Sequence, residues 1–327
     1  MKHLICLLCW FATCALHAQP ITPDLFDSDE VLDLYLRFDH EALLADRSDT
    51  AAYLPATLQY TTPEGLVSRT CRIRVRGNFR RRPDICDFPP LGIRMTLPER
   101  TGTPFAAHPK LKLVTHCQDD ALVLREYLVY RQYQLLTPYS FRTRLLRVHY
   151  EDTAGLHPPT VHWAFAIEDD KTLAARLGGH LVDTPVAAHQ LRPDNALDLY
   201  LFQYMIGNQD WDIYFRKNIE VIRLERDGTH IAVPFDFDWS RIVHAPYTGL
   251  EDDYAWRLFR PICCDQATFE TARARWDSLR EPFKALYKDF VHLPAVQSRD
   301  AWAYCREFYD LLHQPATVAQ VFLGGCR

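Results

Sequence analysis

The first half of the chain is dominated by short segments in which apolar and polar side chains alternate. The clearest is residues 70–76, where every second residue from Arg72 onward is an arginine and Ile73 and Val75 occupy the positions between. A period of two is that of a β-strand with one buried face, so this segment is predicted to be a strand. We predict further strands at residues 31–38, 56–60, 89–97, 111–116, 142–150, 162–167 and 231–235.

Helical periodicity first becomes clear at residues 121–136. Asp119 or Asp120 can cap the first turn of this helix, and Pro138 follows its end. A second long helix is predicted at residues 196–206, directly before the segment Gly207-Asn208-Gln209-Asp210. The remaining predicted helices all lie near the C-terminus, at residues 269–279, 282–290 and 300–313.

The pattern changes from mostly strands to mostly helices at the acidic triplet of residues 168–170. A hinge between a sheet-rich unit and a helical unit would lie at such a change. We therefore predict an α+β fold of two lobes. The N-terminal lobe, residues 19–168, is strand-rich with one long helix, and the C-terminal lobe, residues 169–327, is mainly helical and carries the catalytic loop.

The N-terminus predicts export. Residues 1–3 are weakly basic and residues 4–18 form an apolar run closed by small residues, which is typical of a secretory signal peptide. Cleavage is expected after Ala18, with Ala15 as the alternative. No later segment approaches the roughly 18 uninterrupted apolar residues of a membrane span, so we expect a secreted or periplasmic mature chain with no integral membrane segment. The formal net charge of -5 gives no basic footprint for nucleic acid.

Export also permits disulfide bonds. The chain has ten cysteines, none of them in a C-x-x-C pair after the signal, which argues against a zinc ribbon. If residues 89–97 and 111–116 are antiparallel strands joined by a turn at Thr101-Gly102, Cys86 and Cys117 lie symmetrically about that turn and face each other. Cys71 and Cys86 are likewise symmetric about Asn78, so this second pairing stays open. We prefer Cys86 with Cys117, and the odd number of cysteines after the signal leaves one thiol free.

Glu126 raises a specific question of charge. It shares one face of the helix with apolar residues, where a lone carboxylate would be costly, so it needs a cationic partner. A lysine on the preceding strand is the nearest supplier, and we choose Lys112, with Lys110 or Arg94 as reserves. A Lys–Glu pair of this kind positions nucleotide phosphates in kinases. The alternative is a structural pair between Glu126 and Arg125 or Arg142.

Candidate chemistry is concentrated in two acidic segments of the second half. Phosphoryl transfer needs one Asp to orient the attacking hydroxyl, and an amide and a further Asp to hold metal ions on the phosphates. Asp210 follows the helix at 196–206, with Asp212 as its competitor, and the large Trp211 between them should anchor the loop. Asn218 comes next along the chain.

Asp236 and Asp238 lie two apart at the end of a predicted strand, on one face, and could jointly hold Mg or Mn through hard oxygen ligands. The alternative is an ordinary polar turn. In the N-terminal half, Arg76-Gly77-Asn78 forms a turn that could place backbone amides and arginines over a phosphate. The competing interpretation of that turn is a solvated, basic hairpin tip.

Taken together, these segments resemble the CotH family of spore-coat-type secretory protein kinases. The resemblance covers about residues 70–245 and rests on segments that occur in the family's order: Arg76-Gly77-Asn78, residues 111–114, Asp119-Asp120, residues 124–126, residues 165–168, residues 207–210 and residues 233–238.

Family membership implies an atypical, bilobal protein-kinase-like fold that transfers phosphate, with ATP as donor, to Ser or Thr of exported proteins. Carried over by position, Asp210 is the catalytic-loop carboxylate, Asn218 the loop metal ligand, and Asp236 or Asp238 the metal-binding Asp after the strand. This chain departs from the family after Arg76-Gly77-Asn78: Phe79 and the arginines that follow it stand where the family usually has Ser and Lys. It departs again at Trp239-Ser240, which lacks the expected glycine.

Two other function classes remain open at this stage. Asp236-Phe237-Asp238 also fits the D-x-D of a metal-dependent glycosyltransferase or nucleotidyltransferase, although such folds normally open with alternating strands and helices. A catalytically inactive kinase-like module that binds a partner at a surface is the nonenzymatic alternative. Neither a G-x-S-x-G nor an H-E-x-x-H motif occurs.

Overall fold

The computed structural model describes residues 23–249, 257, 260 and 264–323. The predicted signal peptide, Cys263 and Cys326 lie outside these residues. The strands are β1 (Leu32–Phe38), β2 (Leu54–Thr62), β3 (Gly65–Val75), β4 (Leu91–Arg94), β5 (Lys110–Val114), β6 (Thr143–Asp152), β7 (Thr160–Ile167), β8 (Gly179–Leu181), β9 (Ile219–Leu224) and β10 (His230–Pro234). The helices are α1 (His40–Ala45), α2 (Leu97–Arg100), α3 (Asp120–Leu136), α4 (Asp170–Arg176), α5 (Pro193–Ile206), α6 (Gln266–Lys288), α7 (Ala295–Leu312) and α8 (Pro315–Thr317).

The main sheet is a closed barrel of seven strands in the order β1-β2-β3-β4-β5-β7-β6. Neighbouring strands are antiparallel except at the seam, where β1 pairs with β6 in parallel and Leu32 lies opposite Leu146. Period-two burial matches the sequence pattern: in β3 the buried residues are Cys71, Ile73 and Val75, and the arginines between them face outward. The buried faces of the barrel strands pack into one apolar core.

This closed barrel contradicts the expected bilobal protein-kinase-like fold. The predicted strands are present, but they close on themselves into a mixed barrel, and a helical part follows it. Alternation along one strand specifies which side chains are buried, and it does not specify which strands pair. The parallel contact between β1 and β6 therefore could not be read from the pattern.

The helical part is also more mixed than predicted. A three-stranded antiparallel sheet, in the order β10-β9-β8, packs beside α5, and of its strands only β10 was predicted. The predicted helices at 269–279 and 282–290 are one helix, α6, which contains Pro282. Proline removes one backbone hydrogen bond. The buried Trp276, Phe283 and Tyr287 hold the helix against α3 and α7 on both sides of that gap.

Helix α3 joins the two parts. The Asp119 side chain caps it, as one of the two predicted caps, by accepting a hydrogen bond from the Ala121 backbone at 2.8 Å. Its apolar residues pack against β7 on one side and against α6 on the other. Cys86 and Cys117 form a disulfide, which is the preferred pairing. Cys71 and Cys305 are both buried free thiols, so the expectation of a single free thiol is wrong. A search of the described residues finds no helix that could span a membrane.

Candidate functional site

A cleft of about 860 Å³ lies between the ends of β3 and β5 and the loops that follow α5 and β10. It gathers residues that are far apart in sequence. Every residue predicted to bind nucleotide or metal lines it, and so does the predicted catalytic Asp210: Arg76, Gly77, Asn78, Lys112, Asp210, Asn218, Asp236 and Asp238. Glu126 is fully buried behind the wall of the cleft, with 1% of its surface exposed.

Asp210 reaches the cleft because α5 ends in a turn that only glycine can make. Gly207 has φ 63°, and a Cβ at this position would lie 2.2 Å from the Tyr304 hydroxyl. The buried Asn208 then accepts a hydrogen bond from the Asp210 backbone at 3.0 Å, and the buried Trp211 anchors the loop as predicted. Asp212 does not line the cleft, and its carboxylate accepts instead from the Phe215 backbone at 2.7 Å.

Both oxygens of the Asp210 carboxylate have partners. The Asn218 amide donates to Oδ2 at 2.9 Å and to the Asp210 carbonyl at 2.7 Å, while Lys217 forms an ion pair with Oδ1. Among the described residues, the side-chain oxygen of Asn218 accepts no hydrogen bond. The arrangement holds the carboxylate in one orientation and leaves the Asn218 oxygen available to a ligand.

The backbone is strained at two of the predicted metal ligands. Asn218 has φ 53° and Asp236 has φ 58°, in the left-handed region that costs non-glycine residues energy. Asp236 is held there by its backbone N–H, which donates to the Tyr130 hydroxyl of α3 at 2.8 Å, and Phe235 N–H donates to the Asn218 carbonyl at 3.0 Å. Such outliers concentrate at functional sites, and these two lie side by side at the cleft.

The partner of Glu126 is Arg80, so the predicted Lys112–Glu126 pair is wrong. Arg80 Nη1 donates to Glu126 at 2.8 Å, and neither Arg125 nor Arg142, the structural alternatives, contacts this carboxylate. Lys112 instead forms an ion pair with Asp170 at the start of α4. The prediction assumed that the strand before the helix supplies the cation for Glu126. The cation comes instead from the loop after β3.

Arg80 contacts three carboxylates at once. Besides Glu126 it reaches Asp236 at 2.5 Å through Nη2 and Asp238 at 3.3 Å through Nε. Only 11% of its side chain is exposed. The guanidinium therefore connects α3 to both carboxylates that follow β10. The sequence pattern predicts arginines near this turn that face a phosphate or solvent, and it does not predict an arginine that holds three carboxylates.

The loop that carries Arg80 is fastened on both sides. Phe79 packs against Trp239 and Tyr247, with ring centroids 5.5 and 5.7 Å apart. Farther along, the Cys86–Cys117 disulfide ties the loop to the connection between β5 and α3. An aromatic contact and a covalent bond thus restrict the loop, which lowers the entropic cost of holding a long charged side chain in one place.

Three carboxylates share this one guanidinium, and the pKa values of the two buried ones, Asp238 and Glu126, are raised. Burial raises the pKa of Asp238 well above the usual aspartate range, and the nearby Asp236 and Glu126 charges add to the effect while Arg80 opposes it. Burial likewise raises the pKa of Glu126. Asp238 Oδ2 accepts from Tyr247 at 2.9 Å, but its buried Oδ1 has no hydrogen-bond partner among the described residues. An additional cation would satisfy this oxygen and balance the charge.

This imbalance predicts how stability depends on pH. Carboxyl groups whose pKa is raised by folding bind more protons in the native than in the unfolded state, so the free energy of unfolding should fall as pH rises above about 4. The asparagine of Asp238→Asn cannot ionise, so this variant lacks the part of the pH dependence that comes from Asp238. Without divalent cations, urea unfolding from pH 5 to 8 should show wild type losing stability relative to Asp238→Asn by up to about 1.4 kcal/mol per pH unit. Parallel profiles for the two proteins would contradict the assignment.

Arg76 is a cation of the cleft without an anionic partner among the described residues. Within the described part of the chain its guanidinium forms no hydrogen bond or ion pair, although it lines the cleft beside Gly77. Burial lowers the pKa of Arg76, and the charge of Asp236 is the largest effect that opposes this lowering. A largely enclosed arginine without an anionic partner is suited to a phosphate or carboxylate ligand.

The residues present fit a divalent cation with a polyphosphate. The orphaned Asp238 Oδ1, the partly exposed Asp236 and the Asn218 oxygen offer the hard oxygen ligands that Mg or Mn prefers. Arg76, Lys112 and the backbone at Gly77 lie on the β3–β5 side of the same cleft. The chain matches no protein-family model, and no curated protein is significantly similar to it.

Proposed function

We propose that this cleft binds ATP with Mg or Mn and that the protein transfers the terminal phosphoryl group to a Ser or Thr hydroxyl of an exported protein. The observation that carries the proposal is the convergence of Asp210, Asn218, Asp236 and Asp238 on one cleft that also holds the unpaired Arg76. The proposal rests on these side chains and not on the overall architecture, which is not that of a protein kinase. Membership of the CotH family, which implies the same activity, stays a prediction.

Each side chain has a role that follows from its surroundings. Asp210, held by Lys217 and Asn218, would orient the acceptor hydroxyl and take its proton through a lone pair that neither partner uses. Asn218, Asp236 and Asp238 would hold the metal ion, which neutralises phosphate charge when bound. Arg76, Lys112 and the backbone of Gly77 and Asn78 would hold the phosphates. Arg80 touches Asp236, Asp238 and Glu126 and would act as a positioning residue.

Arg80 also supports a second candidate, which is a binding module without phosphotransfer. Its guanidinium already lies among carboxylates that would hold the metal ion, and a fixed cation there could replace one. Such a protein would bind a nucleotide or another phosphorylated ligand through Arg76 without a divalent ion. The two candidates therefore differ in the metal dependence of binding.

Calorimetric titration with ATP tests both candidates. We expect binding in Mg or Mn, loss of most of the affinity in EDTA, and the same loss in Asp236→Asn with metal present, because this carboxylate is a predicted ligand. Asp227→Asn is the matched control, since Asp227 lies in the exposed turn between β9 and β10 and its carboxylate contacts only neighbouring residues. Equal affinity in EDTA would favour the binding module. No binding at millimolar ATP would contradict the kinase and would leave the binding module only with a phosphorylated ligand other than ATP.

A further inference from the structure

A second cluster of metal-ligating side chains lies outside the cleft. His116 follows β5, Asp120 begins α3 and His162 belongs to β7, and one potential ligand atom from each lies within 4.8 Å of the other two. None of the three lines the cleft. Nδ1 of His116 is buried without a hydrogen-bond partner among the described residues. A buried nitrogen in this state loses its interaction with water and gains nothing from the protein, so a ligand at this atom would offset a desolvation cost.

We propose that His116, Asp120 and His162 form a binding site for a zinc-type divalent ion. Two imidazoles and one carboxylate are ligands that suit Zn²⁺ better than Mg²⁺ or Ca²⁺, which prefer all-oxygen sites. Ligands about 2.0–2.1 Å from tetrahedral zinc lie about 3.3 Å from each other. His162 Nδ1 and Asp120 Oδ2 are already 3.4 Å apart, so only the His116 ring has to move inward.

The surroundings hold the ligands in place for this role. The Trp163 backbone N–H donates to Asp120 Oδ1 at 2.8 Å, which fixes the carboxylate and directs its other oxygen to His162. Hydrogen bonds of this kind orient ligands in metal sites.

The two imidazole rings of the cluster lie parallel to each other. His116 and His162 are stacked at 3.7 Å with an angle of 12° between their planes, and Phe88 stacks on the other face of His116. Parallel rings cannot both direct in-plane lone pairs at one ion, so binding has to tilt one imidazole out of the stack. Tilting of the His116 ring would also bring its nitrogen toward Asp120. With three protein ligands, the fourth position of the ion stays open to water or another ligand.

The test is metal titration of an untagged preparation of the full chain. Zinc is titrated against a chromophoric chelator, and cobalt is followed by its visible absorption, which reports coordination number and ligand type. We expect one zinc per chain, and His162→Gln should weaken binding by about a hundredfold or more, because even outer-shell changes cost 10–100-fold. Asp120→Asn is the second variant, for use if His162→Gln fails to fold. It keeps an oxygen that can accept the Trp163 hydrogen bond, and it should also weaken zinc binding.

His149→Gln is the matched control. His149 lies on the neighbouring strand β6, 2.9 Å from Asp33, and forms a His–carboxylate pair without a second histidine. The His149→Gln variant should bind zinc with wild-type affinity. Asp236→Asn should likewise retain the zinc site, which separates this site from the cleft. The proposal is overturned if wild type binds no zinc at micromolar concentration, or if His162→Gln and Asp120→Asn both bind it with wild-type affinity.

Discussion

Replacement of Arg80 by methionine is expected to lower the free energy of unfolding by about 3–5 kcal/mol at neutral pH, because breaking a buried ion pair leaves charge uncompensated. Glu126 and Asp238 are both buried, and Arg80 is the only cation in contact with either of them among the described residues. Methionine fills the space of the aliphatic part of the arginine side chain. The decrease in the free energy of unfolding is therefore caused by the lost charge and not by a cavity. Urea unfolding followed by tryptophan fluorescence measures it.

The same experiment has two internal checks. Arg82→Met removes an exposed arginine of the same run that hydrogen-bonds Asp84 and lies over the Phe79 ring, and it should lower the free energy of unfolding far less than Arg80→Met does. The effect of Arg80→Met should also shrink toward pH 5, because protonated carboxyl groups no longer need a cation. A pH-independent loss, or an unfolding midpoint equal to that of wild type, would show that Arg80 does not compensate these carboxylates.

Removal of the Asp210 carboxylate is expected to reduce phosphoryl transfer by about 10²–10⁴-fold while leaving most of the affinity for metal-bound ATP. An Asp that orients the acceptor hydroxyl acts mainly in the transition state. Asp236→Ala should lose both binding and transfer, because a metal ligand supports both. If Asp238 shares the ion, Asp238→Ala should resemble Asp236→Ala. Paired binding isotherms and radiolabel-transfer assays on the variants separate these effects.

Asp212→Ala is the control for Asp210→Ala. The two carboxylates flank Trp211, but Asp212 does not line the cleft, so its removal should preserve transfer. If Asp212→Ala abolished transfer and Asp210→Ala retained it, the catalytic loop would be assigned two residues out of register. If neither change affected transfer, Asp210 would have no part in the chemistry.

Local features of the fold were accessible from the sequence because they depend on neighbours in the chain. The alternation in β3 identifies its buried face, and Asp119 identifies the start of α3, since both signals lie within a few residues. Pairing between distant strands carries no such signal, so the parallel seam and the closed barrel were missed. The single helix through Pro282 was missed for a related reason: tertiary packing of Trp276 and Phe283 outweighs a local helix breaker.

In the candidate site, too, local sequence signals identified some residues, and contacts between distant residues were missed. Asp210 could be chosen over Asp212 because residues 207–210 match the spacing of the family that the chain resembles and Trp211 should anchor the loop, and Asp210 does line the cleft. The partner of Glu126 could not be found in this way, because Arg80 lies in an irregular loop without periodicity. The need for a cation was predictable from the burial of Glu126, but its source was not.

The parallel seam between β1 and β6 has a consequence for the order of folding. Leu32 cannot meet Leu146 until the chain has been made past β6, so closure of the barrel requires contacts that are distant in sequence. Such contacts slow folding, because the entropy of closing a long loop is lost before the pairing is gained. Until closure, β1 exposes a free edge of backbone N–H and C=O groups that invites pairing with other chains. Nascent molecules are therefore most prone to aggregation in the interval before β6 arrives.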